Sequence, residues 1–230
     1  MDAIDYWTDV VLESTEIDAL HVARYVRAPR FSEGFGTDGK YCALADEARQ
    51  GALRDNRPFW DVLLRLAARK GELTDDLLAR ASKLHPREMD LFSIAASEIR
   101  IGALRRRVDE SSRDEVFVMA SKVSLVNGQT RHFPMMDLRC EVGAVPLCSV
   151  ERLANWLLPG GYALFASGRS YHLIGTELIS GYALSNFLVR SLYAGDLVDR
   201  KYITHHLERG FCTLRISSSG QGSWPVRIRP

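Results

Sequence analysis

The spacing of apolar residues changes near the middle of the chain, and that change restricts the fold more than any single motif. Up to about residue 110 the apolar positions recur every three to four residues, the period of helices buried on one face. "STEIDALHVARYVRA" opens with the capping residues Ser14 and Thr15 and then places Ile17, Leu20, Val22 and Tyr25 near that period. "RPFWDVLLRLAARKG" and "LTDDLLARASKLHP" predict a helical hairpin, with Gly71 as the stop and Thr74 as the second cap. Pro86 is expected to open a longer helix, "PREMDLFSIAASEIRIGALRRRV", whose Arg105, Arg106 and Arg107 suit the negative end of a helix dipole. Beyond Asp109 the texture becomes short β-rich runs, the first two joined at the hairpin signal Asn127-Gly128. A helix ("SVERLANWLLPGG"), two strands ("YALFAS", "SYHLIG"), a helix ("LISGYALSNFLVRSLYAG") and two strand-like runs ("FCTLRIS", "WPVRIR") follow. The expectation is an α+β protein, with a helical N-terminal region over residues 1–110 and a mostly antiparallel sheet domain over 111–230.

Length and charge narrow the function classes. The 230 residues, 46% hydrophobic and 26% charged, suffice for one large domain or a core domain with a helical extension. No apolar run approaches the roughly 18 residues of a membrane span, and "MDAIDYWTDV" lacks the basic start of a secretory signal. Cys42, Cys140, Cys148 and Cys212 form no CxxC pair, which argues against a zinc ribbon and for reduced thiols in a cytoplasmic protein. Gly34, Gly36 and Gly39 do not follow a strand, so they mark a loop and not a phosphate loop. Residues 1–50 carry ten acids against five bases, whereas residues 200–230 carry six bases against one acid. The basic end reads either as a solvated face or as a contact for nucleic-acid phosphates, with Arg227 and Arg229 at its tip.

Three pieces of the second half contain residues suited to chemistry: "FPMMDLRCE", "SGRSYH" and "LVDRKYITHHLERGFCTLRIS". Taken singly, each candidate has two readings. Asp137 can cap a turn or bind a cation; His172 can be a hydrogen-bonded strand histidine or a phosphate ligand; Asp199 can serve the N-terminus of a short helix, "KYITHHL", or bind a cation. His205 and His206 are neighbours and point about 100° apart on a helix, so they are poor joint ligands. Tyr162, Phe165, Leu184, Phe187 and Leu188 are expected in the core.

In order and spacing these pieces resemble the archaeo-eukaryotic primase superfamily, over roughly residues 115–230. Asp137 matches its first motif, Ser170 with His172 its second, and Val198-Asp199 its third; "LRIS" with Pro225 resembles the arginine- and serine-containing strand that follows. The resemblance implies a primase-polymerase fold with an RRM-like sheet, and Asp137, His172 and Asp199 as the catalytic set. It further implies Asp137 and Asp199 as ligands of Mg²⁺ or Mn²⁺, hard cations that take oxygen donors. Arg169, Ser170, His172 and Arg215 would bind the phosphates of a nucleoside triphosphate. Phosphoryl transfer needs charge neutralisation and in-line positioning, which such residues supply.

The first motif departs from the family pattern. Where active members place a second acid two residues on, this chain has Arg139, and Glu141 lies roughly 13 Å along an extended strand from Asp137. The resemblance therefore implies one of two things. The chain is a nucleotidyltransferase that makes primers with a rearranged metal site, or a degenerate primase fold that binds nucleic acid or recruits a protein partner through its acidic N-terminal region. A metal-dependent nuclease using the same carboxylates would lack an evident general base.

Overall fold

The computed structural model of the chain describes residues 1–26, 39, 41–55, 57–82, 89–112, 114–168, 170–218 and 224–229. It divides into two compact units, Met1–Val26 with Met89–Pro230, and Arg27–Glu88. Residue 110, the boundary expected from the change in texture, lies inside the first unit.

The first unit begins with α1 (Ala3–Glu13) and β1 (Ile17–Val26). The second unit holds α2 (Cys42–Arg54), α3 (Phe59–Lys70) and α4 (Asp75–Ser82) around Leu44, Leu63, Ala67 and Leu77. The expected hairpin of α3 and α4 is present. Gly71 adopts the left-handed conformation that ends α3, and Thr74 Oγ1 accepts the amide of Leu77 at 3.2 Å. Gly34, Gly36 and Pro86 lie outside the described residues.

The chain re-enters the first unit as β2 (Asp90–Ala95), α5 (Ala96–Arg100) and α6 (Ala103–Asp109). Then come β3 (Glu115–Leu125), β4 (Thr130–His132), β5 (Met135–Asp137), α7 (Ala144–Leu157), β6 (Tyr162–Ala166) and β7 (Tyr171–Gly175). It finishes with α8 (Gly181–Ser191), a 3₁₀ helix (Leu192–Leu197), α9 (Arg200–Arg209), β8 (Thr213–Arg215) and β9 (Val226–Arg229). The protein is α+β, and its strand ladders are antiparallel. One sheet has the order β2-β1-β3-β4, with β8 also paired to β3; the other has the order β5-β7-β6-β9. A shared core of Trp7, Leu20, Val22, Met119, Met135, Phe165 and Leu188 joins them.

Two stretches differ from their sequence reading. Residues 17–26 form a strand, not a helix. β1 is central in its sheet, and register shifts at Ile17/Ala19 and Leu20/Val22 break its alternation. Bulges of this kind give apolar residues a three-to-four spacing that mimics a helix. The long helix expected from Pro86 is instead β2, α5 and α6. Ala95 closes the strand and its amide is taken by the Glu98 carboxylate at 3.1 Å, which starts a helix with no intervening glycine or proline. Gly102, at φ +78°, then separates α5 from α6.

α1 braces the second sheet. Tyr6 packs edge-on against Phe165 at 5.2 Å, Trp7 against Phe133 at 5.1 Å, and Asp2 bridges Val226. Arg105 at the start of α6 pairs with Asp2 and Asp5, so this arginine ties α6 to α1 and does not serve its own helix end.

Candidate functional site

β5 is short, and Met135 and Met136 fix it because both are fully buried. Its last residue, Asp137, stands directly opposite His172 of β7. On its other side Leu138 makes a bridge to Val198, and the Arg139 amide donates to the Leu197 carbonyl at 2.8 Å. Residues opposite one another in antiparallel pairs share a face. The two registers therefore place His172, Asp137 and Asp199 in one row on one face, Asp199 being opposite Asp137 one step past the Leu138–Val198 bridge.

Asp199 is also the N-cap of α9. Its Oδ1 accepts the amides of Lys201 at 2.8 Å and Tyr202 at 3.2 Å. The two readings of this residue, cap and member of the site, hold together: capping fixes the carboxylate beside Asp137. The bend before β7 is set by Ser167, whose amide and hydroxyl both donate to the Ser170 carbonyl, at 2.8 and 3.1 Å. Gly168 supplies the φ of +105° that this tight return requires. The bend presents the Ser170 hydroxyl, which donates to Asp137 Oδ1 at 3.3 Å.

Arg215 comes from the other sheet, where it pairs with Val118. Its guanidinium donates to the carbonyls of Ser217, at 2.5 Å, and Ser167, so it spans the gap between the two sheets. The positive charge is felt by both Asp137 and His172. Below them the Tyr202 hydroxyl donates to the Met135 carbonyl at 3.3 Å, and burial pushes the Cys212 thiol up to about 12. No sequence motif pointed to Tyr202 or to the Ser167 and Ser217 carbonyls; only the spacing Ser167-x-x-Ser170 hinted at a hydroxyl-rich bend.

Burial, and then the Asp199 carboxylate, push Asp137 up to about 7, while the Ser170 hydrogen bond and Arg215 pull it down. The carboxyl is ringed by protein yet keeps 40% of its side-chain surface open to water, which screens part of the push. Burial, and then Arg215, drive His172 down to about 3, so the imidazole is neutral. Its Nε2 lies 3.9 Å from Asp137 Oδ1, a contact between polar groups and not an ion pair.

Other candidates fall elsewhere. Arg227 is two strands beyond His172, through Phe165, and its guanidinium lies over the Tyr6 ring at 5.2 Å. Arg229 pairs through its backbone with Leu164 on the same edge strand. Arg169 lies outside the described residues.

Among the described residues no group of three or more His, Cys, Asp or Glu is placed to hold a metal ion. Asp137 and Asp199 are nevertheless the residues that would hold a hard divalent cation, by the chemistry of their donors. Both donors are carboxylates, and their mutual repulsion is part of what raises Asp137, a strain that a cation between them relieves. Two protein oxygens are the share such an ion takes when water and phosphate complete its shell.

Residues 95–226 match the model of one protein family, described as archaeo-eukaryotic primase 1D-like. The match covers more than half of the chain and takes in Asp137, Ser170, His172, Asp199 and Arg215. No curated protein and no solved structure matches the chain.

Proposed function

The chain belongs to the archaeo-eukaryotic primase-like family, and on that premise we propose that the cleft between its two sheets binds a nucleoside triphosphate for metal-dependent primer synthesis on nucleic acid. The observation that carries this reading is the in-register row of His172, Asp137 and Asp199, faced by Arg215 from the opposite sheet. In this reading Arg215 and the neutral His172 receive the triphosphate, the one by charge and the other by a ring N–H. Ser170 holds the Asp137 carboxyl by one oxygen, Oδ1. Asp137 and Asp199 hold one Mg²⁺ or Mn²⁺, which when bound neutralises phosphate oxygens and lowers the cost of developing charge. Arg169 contributes to the same phosphates, and Arg227 and Arg229 contact the nucleic-acid backbone.

A thermal-shift titration with Mn²⁺, nucleotide and both together tests binding, because a ligand specific to the folded state raises Tm by linkage. Cooperative stabilisation by the pair of ligands, lost in Asp137→Ala, supports the reading; no shift with either ligand refutes it.

Arg139 favours a second reading, a primase fold that keeps nucleotide or nucleic-acid binding without polymerisation. It stands two residues beyond Asp137, where a second acid would complete a metal site, and a guanidinium there opposes cation binding. Wild-type primer extension abolished by Asp137→Ala decides for the enzyme. Absent extension, together with tighter Mn²⁺ binding in Arg139→Asp, decides for the degenerate fold.

A further inference from the structure

α8 is apolar on two faces. Leu184, Phe187 and Leu188 enter the core. On the opposite side Tyr182, Asn186 and Val189 face water, and the helical backbone continues through Ser191 and Leu192 so that Tyr193 extends the same row. These positions, at i, i+4, i+7 and i+11, fall within about 60° of arc. Tyr182 is 79% exposed, Tyr193 85%, Val189 50% and Leu192 40%. Beside them Trp156 of α7, 48% exposed, lies 4.9 Å from the Arg190 guanidinium and widens the patch. Single exposed apolar residues are ordinary; a continuous row with tyrosines at both ends is the mark of an interface.

We propose that this row is a self-association surface, in which α8 of one copy packs antiparallel against α8 of a second copy of this chain. The spacing of the row is symmetric about the midpoint between residues 187 and 188, and tyrosine stands at both ends. Tyr182 and Tyr193 are equidistant from that point, and so are Asn186 and Val189. A two-fold axis there sets each Tyr182 against Tyr193 of the other copy, and each Asn186 against Val189 of the other copy. This is the reciprocal contact that an isologous dimer requires. The four residues carry no charge, and the cation beside them, Arg190, lies over the Trp156 ring of its own chain.

The exposed area is also of the right size. At about 200 Å² per aromatic side chain, Tyr182, Tyr193 and Trp156 leave roughly 400 Å² uncovered per copy. With Val189, Leu192 and Asn186 added, a two-fold contact buries on the order of 1,200 Å², the lower edge of specific interfaces. A contact of this size suits a dimer that is not obligate. Tyr171, which alternation places on the sheet face away from His172, bonds Gly143 at the start of α7, so α7, which carries Trp156, lies behind the sheet.

Sedimentation velocity of the full chain across the micromolar range tests this. The wild type is expected to pass from monomer to dimer, and Tyr182→Glu and Tyr193→Glu each to weaken the dimer tenfold or more with Tm unchanged. Orientation is read by cross-linking in a background where the exposed Cys42 and Cys148 are changed to Ser. Tyr182→Cys with Tyr193→Cys in one chain is expected to form disulfides between copies. Either single change is not, because like positions then stand about 16 Å apart along the helix, beyond the reach of a disulfide. A wild type monomeric throughout, a dimer indifferent to both glutamates, or single variants that cross-link as readily as the double one overturns the proposal.

Discussion

Asp137 and His172 face each other across the β5–β7 ladder with Oδ1 and Nε2 3.9 Å apart, and burial moves their protonation in opposite directions. The carboxyl rises to about 7 and the imidazole falls to about 3. Between these values both groups are neutral, an acid beside an uncharged ring. Arg215 is the cation that reaches them from the other sheet, and Asp199 is the anion whose charge helps to raise Asp137.

The raised Asp137 predicts a sign for the pH dependence of stability. Between about pH 4 and pH 7 the folded state retains a proton that the unfolded state has lost, so this group lowers stability as pH rises through that window. Asp137→Asn removes the effect. Relative to wild type the variant should gain about 1–2 kcal/mol on going from pH 4 to pH 8, a figure discounted for the water-exposed edge of the carboxyl. Buried His172 and His206, both depressed, act oppositely and lose stability as pH falls below 6.5, but they are common to both proteins and drop out of the difference. Urea unfolding of the two proteins at several pH values measures it; parallel pH curves would show that Asp137 is not raised.

Ser170→Ala should act through the same carboxyl. The hydroxyl lowers the pKa of Asp137 by donating to Oδ1 at 3.3 Å, so its loss raises that carboxyl further. Mn²⁺ affinity at pH 7 should fall by roughly fivefold, the equivalent of one hydrogen bond near 1 kcal/mol, and should recover at higher pH where the proton is gone. Calorimetric titration at two pH values separates this from a structural defect, which would lower affinity equally at both.

Much of the site could be read in the sequence because its parts are local. The short apolar runs at 162–166 and 171–175 flank a Gly168 bend, so they announce a hairpin; Asn127-Gly128 does the same for β3 and β4. The set Asp137, His172 and Asp199 came from the resemblance to the primase superfamily, since each residue taken singly also reads as a cap or a strand residue. β1 was hidden because bulges erased its period, and β2 because it passes into α5 without a breaking residue. Arg215 was legible as a basic strand residue, but its grip on the Ser167 and Ser217 carbonyls was not, since a backbone acceptor leaves no trace in residue type. The Leu138–Val198 bridge, which sets Asp199 against Asp137, pairs residues sixty positions apart and has no local signal.

Tyr171→Phe tests the back of the site without touching its front. The phenol accepts the Gly143 amide at 2.8 Å and donates to the Gly143 carbonyl at 3.0 Å, which fixes the segment between β5 and α7. Removing the hydroxyl leaves two backbone groups short of a partner in a part-buried position and should cost about 1–3 kcal/mol. Denaturant midpoints measure that loss. Mn²⁺ affinity measured well below Tm should stay within twofold of wild type; a large drop would make Tyr171 part of the cation site's support.

Asp199 has two roles in this structure, and two substitutions separate them. As N-cap of α9 it accepts two amides through Oδ1, a task asparagine performs about as well as aspartate and alanine does not. As a neighbour of Asp137 it contributes negative charge, which asparagine lacks. Asp199→Ala should therefore lose about 1 kcal/mol of stability from the missing cap, while Asp199→Asn should stay within a few tenths of wild type. Both should lose Mn²⁺ stabilisation. In both, Asp137 should titrate lower than in wild type, because one of the two causes that raise it is gone. NMR titration of the Asp137 carboxyl together with thermal shifts in Mn²⁺ gives all the readouts. If Asp199→Asn kept full Mn²⁺ stabilisation and left the Asp137 titration in place, Asp199 would be a helix cap alone, and the cation site would have to be built from Asp137 without it.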